Sequence, residues 1–166
     1  MKGDFGMCRG CKVGKSSEAA HRSKNHVYRA HEKVKLVHTD LAGPFKPRAI
    51  EGKSRYALVF VDDFSRKSWT IPLVTKNGVT QAMKDWILMK ENQSGKRLKK
   101  LRSDNGGEFV NGELGAWLAD RGVDHQKIPK ESPQSNGIAK RMNRNLQDRA
   151  RSMLIGARLG GGGEFA

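Results

Sequence analysis

Two aspartates stand where apolar segments give way to turn residues, and their side chains are well placed to do chemistry. Asp40 lies in HTDLAGPF, and Asp104 lies in LRSDNGGEF. The glycine pair after Asp104 lets the backbone turn tightly beside a bound anion or metal ion. Carboxylates on neighbouring strands can share a divalent cation. A single aspartate at a strand end is also a common turn or capping residue, so each position taken alone fits both interpretations.

A basic segment near the C-terminus is a candidate for phosphate binding. SPQSNGIAKRMNR (132–144) is a loop rich in turn residues that leads into a basic helix, as gripping a phosphate backbone requires. A charged helix face is also commonly just a solvated surface. The candidate DNA-binding residues are Lys140, Arg141, Arg144, Lys99 and Lys100.

The charge balance of the whole chain points to a polyanionic partner. Its 166 residues include 32 Lys and Arg against 17 Asp and Glu, a formal charge of +15. Nucleic acid is the first candidate partner and an anionic membrane surface the second. The longest apolar run, 56–61, is too short to span a bilayer, and the first thirty residues lack the apolar core of a signal peptide. We therefore expect an intracellular protein, nuclear or cytoplasmic, that is neither secreted nor bound to a membrane.

Apolar periodicity predicts the elements that position these side chains. Three strands, a helix, a strand, a helix, a strand and a final helix make an α/β domain with a mixed sheet. Strands are expected near 34–41, 56–61, 69–74, 98–101 and 123–128. Helices are predicted by the spacing of three sets of residues: Val79, Met83, Trp86, Ile87 and Lys90; Leu114, Trp117 and Leu118; and Ile138, Met142, Leu146, Ala150 and Met153. In the first helix we expect Lys84 and Asp85 to face water.

Four segments together resemble the integrase core of copia-type retrotransposon polyproteins, within the retroviral-integrase-like DDE superfamily. The resemblance covers about 34–157 and rests on HTDLAGPF (38–45), RYALVFVDDFSRKSW (55–69), LRSDNGGEF (101–109) and SPQSNGIAKRMNR (132–144). It implies an RNase H-like fold, with a mixed five-stranded sheet flanked by helices, and possible homo-oligomers. It also implies DNA integration by three carboxylates that hold two Mg²⁺ or Mn²⁺ ions for phosphoryl transfer.

Only two of those three carboxylates map onto this sequence, as Asp40 and Asp104. The family places its glutamate after thirty-five further intervening residues, where this chain has Lys140. A carboxylate of charge −1 has become an ammonium of charge +1, and two unit charges about 4 Å apart interact by on the order of 4 kcal/mol at an effective dielectric of about 20. We therefore expect a weakened metal site, impaired catalysis, and Lys140 paired with Asp104, Asp40 or both. Glu131 is the alternative source of a third carboxylate.

Cys8 and Cys11 near the N-terminus resemble the Cys pair of the zinc-binding segment that precedes such cores. Two ligands leave a structural Zn²⁺ site incomplete, because such sites take four. His21 and His26 offer a second pattern, although the gap before them is shorter than in a ββα finger. We interpret 1–33 as a basic arm that is a remnant of this segment, 34–157 as the core and 158–166 as a Gly-rich tail.

Two functions therefore remain open. The chain is an integrase core domain that binds DNA and is impaired in catalysis, or a non-catalytic nucleic-acid-binding module derived from one. A metal-dependent strand-transfer assay separates the two.

Overall fold

A computed structural model of the chain describes residues 29–45, 53–129 and 137–160. These belong to two compact units, Asn25–Asn143 and a second made of Met1–Lys24 with Arg144–Ala166. Of the second unit, the described part is helical. Cys8, Cys11, His21, His26 and Glu131 lie outside the described residues, so the zinc and Glu131 hypotheses remain predictions.

Five strands form one mixed sheet in the first unit, which confirms the predicted architecture. In spatial order they are β3-β2-β1-β4-β5. The strand β1 pairs antiparallel with β2 and parallel with β4; β2 pairs antiparallel with β3, and β4 pairs parallel with β5. The bounds are β1 Leu36–Ala42, β2 Tyr56–Asp62, β3 Ser68–Leu73, β4 Lys100–Asp104 and β5 Asp124–Ile128.

Strand β2 lies inside the sheet, between β3 and β1, whereas β3 is an edge strand. Four consecutive apolar side chains, 58–61, are at most 1% exposed, so both faces of the strand are covered. A strand buried on both faces reads as a continuous apolar run rather than an alternating one. The polar residues after Asp62 form the turn, and β3 returns with Phe60 opposite Trp69.

The described residues include three α-helices: α1 Val79–Ser94, α2 Gly112–Asp120 and α3 Gly137–Gly160. A short 3-10 helix, Lys76–Gly78, leads directly into α1. Helix α1 ends at Gly95, whose φ of 65° is the left-handed conformation that glycine adopts readily. No described helix is both long enough and apolar enough to cross a membrane.

The predicted apolar stripe of α1 is confirmed by burial of Val79, Met83, Trp86 and Ile87. The Trp86 ring stacks on Phe60, with centroids 4.0 Å apart, and meets Trp69 edge-on at 5.3 Å. This aromatic cluster ties α1 to one face of the sheet, where it joins a larger core containing Val37, Leu58, Leu98, Leu101, Phe109, Leu114, Leu118 and Val123.

The expectation that Lys84 faces water was wrong, whereas Asp85 is exposed as predicted. The Lys84 side chain is only 15% exposed, and its Nζ donates to Glu113 Oε1 at 2.6 Å. The spacing of residues along α1 could not predict this ion pair, because the partner, Glu113, lies on α2.

Helix α3 exists as predicted, but its buried side differs from the predicted stripe. Ala139 is fully buried and Asn143 is 6% exposed, whereas Met153 is 69% exposed. Residues four apart share a helix face, so Ala139 and Asn143 lie on one side. The polar Asn143 can be buried on that side because its amide donates a hydrogen bond to Asp40 on β1.

Candidate functional site

Asp40 and Asp104 lie on the adjacent parallel strands β1 and β4. The two strands pair with His38 opposite Arg102, and each aspartate follows two residues later. Because side chains alternate along a strand, both aspartates project from the same face of the sheet. Asp104 is the last residue of β4, as predicted, but β1 continues past Asp40 to Ala42.

Asp40 is 9% exposed. Its side-chain hydrogen-bond donor is the amide of Asn143. Asn143 Nδ2 donates to Asp40 Oδ2 at 2.6 Å. Burial raises the pKa of the Asp40 carboxyl above its usual range because water no longer solvates the charge. The hydrogen bond from Asn143 opposes that rise, while the negative charge of Asp104 adds to it.

Lys140 lies in the first turn of α3 and is partly buried. Its positive charge lowers the pKa of the Asp40 carboxyl, so the ammonium is close enough to act through space. Within the described residues, no ion pair joins Lys140 to Asp40 or Asp104. The predicted direct bridge is thus replaced by the Asn143 amide. An amide neutralises no charge, but it satisfies a carboxylate oxygen without removing an ammonium from water.

Local hydrogen bonds fix the backbone of the loop after Asp104. Asp104 Oδ1 accepts a hydrogen bond from the Gly106 N–H at 3.0 Å, and Gly106 O accepts from Phe109 at 2.9 Å. A Cβ on Gly106 would stand 3.0 Å from Asp104 Oδ1 and 2.9 Å from Glu108 Cδ. A side chain at position 106 would therefore have to push the carboxylates of Asp104 and Glu108 aside.

The buried Ser103 on β4 and the partly buried His125 on β5 form a polar pair. Ser103 Oγ donates to Asp104 O at 2.9 Å and lies 2.9 Å from His125 Nε2. Burial lowers the pKa of His125 because the charged imidazole loses hydration. Ser103 and His125 are twenty-two residues apart in the chain, so no local sequence pattern identifies the pair.

A second acidic pair, Asp62 and Asp63, begins the β2–β3 turn, and its role was not predicted. Asp63 Oδ2 accepts the Ala30 N–H at 2.6 Å, and Asp62 Oδ1 accepts the Val34 N–H at 2.8 Å. His38 Nε2 lies 2.9 Å from Asp63 Oδ1. Both carboxylates are 1% exposed, so this pair anchors the segment that leads into β1.

Opposing effects act on the ionisation of the buried pair His38 and Asp63. Burial alone would raise the pKa of the Asp63 carboxyl, but hydrogen bonds from Ala30 and His38 outweigh it, so this pKa is lowered. Burial lowers the pKa of His38 below its usual range. His38 itself is completely buried.

The described residues do not fit the two-metal site that the resemblance implies. Within them, no three His, Cys, Asp or Glu side chains come together in a group that could hold a metal ion. Asp40 and Asp104 stay together, but Lys140 puts a positive charge where the resemblance requires a third carboxylate. A divalent cation needs several oxygen ligands and is repelled by a nearby ammonium.

The candidate DNA-binding residues differ in exposure. Lys99, Arg141 and Arg144 are exposed, and Lys100 is partly exposed. Their contact with DNA stays a prediction.

Comparison with known proteins then decides the family. The family model of the integrase core domain matches residues 30–133. The chain belongs to the integrase core domain family. Three plant Pol polyproteins are similar over most of this integrase core domain, which confirms the resemblance to copia-type polyproteins. The retrovirus-related Pol polyprotein from transposon TNT 1-94 of Nicotiana tabacum is 36% identical over 152 residues, which are 92% of this chain and 11% of that polyprotein.

The other two relatives come from Arabidopsis thaliana. The Pol polyprotein from transposon RE2 is 29% identical and that from transposon RE1 is 27% identical, over 89% and 90% of this chain. Each match covers 10% of the polyprotein. This integrase core domain therefore spans about a tenth of the length of these relatives.

Two solved structures confirm the RNase H-like fold of this integrase core domain. A chain of the simian T-cell lymphotropic virus intasome in complex with PP2A regulatory subunit B56 gamma matches 82% of this chain, with a TM-score of 0.57 and 19% identity. It is matched over 46% of its own length. The HTLV-2 integrase catalytic core domain, solved with magnesium in a trimeric form, matches 69% of this chain and 68% of its own, with a TM-score of 0.51 and 17% identity.

Proposed function

We propose that this integrase core domain binds DNA through the phosphate backbone and does not carry out metal-dependent strand transfer with the residues it has. The observation that carries the proposal is geometric: Asn143 joins the C-terminal helix to Asp40 beside Asp104, and Lys140 lies three residues before Asn143 on that helix. The relatives are Pol polyproteins of transposons, and one structural neighbour is an intasome, so DNA is the substrate class that fits the fold.

The electrostatics of the site separate DNA binding from catalysis. Replacing a carboxylate with Lys140 changes the local charge by two units, and one unit charge about 4 Å from another contributes on the order of 4 kcal/mol at an effective dielectric of about 20. Asp40 is also buried and already hydrogen-bonded to Asn143, which leaves fewer oxygen lone pairs for a cation. Both effects weaken divalent metal binding, and neither affects phosphate contacts made elsewhere.

The DNA-binding half of the proposal rests on the charge of +15 and on exposed basic side chains such as Arg141 and Arg144. Contacts with phosphates release counterions, so affinity falls steeply with salt. We expect the affinity for duplex DNA to fall by on the order of a hundredfold between about 50 mM and about 200 mM salt, for about four phosphate contacts. Fluorescence anisotropy at the two salt concentrations measures it; affinity that is absent at low salt, or independent of salt, contradicts the proposal.

The catalytic half is tested with Lys140→Glu and a matched control, Arg141→Glu. Both variants change the charge of the same helix by the same amount, but Arg141 is exposed and should not affect the aspartates. We expect Lys140→Glu to bind Mn²⁺ at least tenfold more tightly than the wild type in calorimetry, and Arg141→Glu to match the wild type. If the wild-type chain binds Mn²⁺ tightly and joins DNA ends, another carboxylate completes the site and Glu131 is the first to test.

A further inference from the structure

A cavity of about 410 Å³ lies between the start of α1 and the loop that follows Asp104. It adjoins the candidate site: a Cβ atom on Gly106 would lie 3.0 Å from both Asp104 Oδ1 and Glu108 Oε2, so these two carboxylates are neighbours. No role has been given to this cavity in the proposed function. The residues lining it are Lys76, Asn77, Thr80, Gly107, Glu108 and Asn111.

One wall of the cavity is fixed by hydrogen bonds. Asn111 Oδ1 accepts the Leu114 N–H at 2.8 Å as the cap of α2. Its Nδ2 donates to Thr80 Oγ1 at 3.1 Å and to Glu108 O at 3.2 Å. Every polar atom of the Asn111 side chain is therefore in use, so this residue shapes the cavity and leaves recognition to its neighbours.

The charged groups among the lining residues are one carboxylate and one ammonium. The Glu108 side chain is 16% exposed, and its Oε1 lies 3.5 Å from Lys76 Nζ. The Lys76 side chain is half exposed, and its Nζ lies 5.9 Å from the centroid of the Tyr56 ring. At 3.5 Å the two groups form an ion pair with no room for an atom between them, so a ligand that carries adjacent donors and an acceptor would contact both by bridging them.

The charges exclude some parts of a nucleic acid and favour others. A phosphate is disfavoured because Glu108 and the nearby Asp104 would both repel it. A carboxylate accepts N–H donors, which in DNA belong to base edges. Guanine alone presents two adjacent donors, N1–H and the N2 amino group, beside an acceptor, O6. Adenine and cytosine each place a ring acceptor where guanine has N1–H.

We propose that this cavity binds an unpaired guanine of a DNA strand lying across the candidate site, with Glu108 accepting from N1–H and the N2 amino group and Lys76 donating to O6. Bases read on these edges must be unpaired, as in enzymes that take a base out of the stack. The inference deepens the proposed function and rests on it for the identity of the ligand.

Mononucleotides test the cavity without requiring DNA to bind. The probes are dGMP and dAMP, which carry the same phosphate charge, titrated while the backbone amides of Asn77, Gly107 and Asn111 are followed by NMR. We expect dGMP to shift these amides and to bind at least fivefold more tightly than dAMP, as one well-placed bidentate contact provides. With the wild-type chain, dIMP lacks only the N2 amino group, so its affinity should fall between the other two.

Variants assign the preference to the proposed pair. Glu108→Gln should reduce the dGMP to dAMP ratio to below twofold, and Lys76→Met should weaken dGMP binding. Glu113→Gln is the matched control: Glu113 is exposed and ion-paired to Lys84 away from the cavity, so its ratio should equal that of the wild type. Because dIMP is compared on the wild-type chain, the proposal can still fail if Glu108→Gln does not fold.

Each outcome bears on one proposal. Equal affinity for dGMP and dAMP, no difference between dGMP and dIMP, or shifts confined to residues outside the cavity overturn the guanine site. Duplex binding that falls with salt, together with no guanine preference, overturns this inference alone. Guanine preference with no affinity for duplex DNA supports the cavity and overturns the proposed function.

Discussion

Helices α1 and α3 both bury a face, but α1 buries apolar rings and α3 buries an amide. Trp86 of α1 stacks on Phe60 of the sheet, where large apolar areas leave water. Asn143 of α3 instead meets the buried carboxyl of Asp40 through one hydrogen bond. Apolar packing is spread over many contacts, whereas the polar packing depends on one donor and one acceptor. The first region should therefore respond to lost volume and the second to a lost hydrogen bond.

The largest effect is expected in the aromatic cluster. Trp86→Ala should lower the free energy of unfolding by about 3–5 kcal/mol, because it removes a 3% exposed ring and leaves a cavity. Leu88→Ala on the same helix is the control, since that side chain is 44% exposed and should cost far less. Chemical denaturation gives both values; equal losses for the two variants would mean that α1 does not pack through Trp86.

The next effect is expected at Asp63. Asp63→Asn should cost about 2–3 kcal/mol because it weakens charge-assisted hydrogen bonds to Ala30 and His38. The folded-state pKa of Asp63 is lowered, so its contribution is present above the usual aspartate pKa and is lost as the pH falls through the lower, folded value.

Denaturation of both proteins from neutral pH down to below the lowered, folded-state pKa of Asp63 measures this. The wild type should lose its advantage over Asp63→Asn in the acid range, so the two stabilities converge there. Asp85→Asn is the surface control. Asp85 is exposed and accepts a hydrogen bond from the Gln81 amide, so its replacement should leave the dependence of stability on acid pH almost unchanged. A constant difference at all pH values would show that the Asp63 charge is not what matters.

A smaller effect is expected for Asn143→Ala, about 1–3 kcal/mol, because the buried Asp40 carboxyl loses its side-chain donor. NMR of the Asp40 carboxyl should also show its pKa rising above the already raised wild-type value, since the hydrogen bond from Asn143 lowers it. Asn145→Ala, at an exposed position two residues along the helix, is the control. No change in the Asp40 pKa would contradict the amide's role.

The smallest effect is expected for Lys140→Ala. Its ammonium acts on Asp40 through space and forms no ion pair with it within the described residues, so the loss should be below about 1 kcal/mol. Thermal denaturation beside Asn143→Ala makes the comparison direct. If Lys140→Ala costs more than Asn143→Ala, the lysine and not the amide holds Asp40.

The same contrast explains how far the sequence could predict the structure. The period of Val79, Met83, Trp86 and Ile87 identifies α1, because apolar burial leaves a regular mark along the chain. Asp40 and Asp104 were found from short motifs. Asn143 was missed because its partner lies 103 residues earlier and its polarity breaks the expected stripe. Hydrogen bonds between distant polar residues carry no periodicity, so the site was predicted less completely than the core.

The anchoring of Ala30 and Val34 by Asp63 and Asp62 has a mechanical consequence. A force that pulls the chain away at Ala30 does not first peel β1 from the sheet. It loads two buried hydrogen bonds to the β2–β3 turn, at 2.6 Å and 2.8 Å, whose partners lie 33 and 28 residues further along the chain. These hydrogen bonds to Asp63 and Asp62 therefore bear tension applied through the residues before Ala30 before it reaches β1 and Asp40.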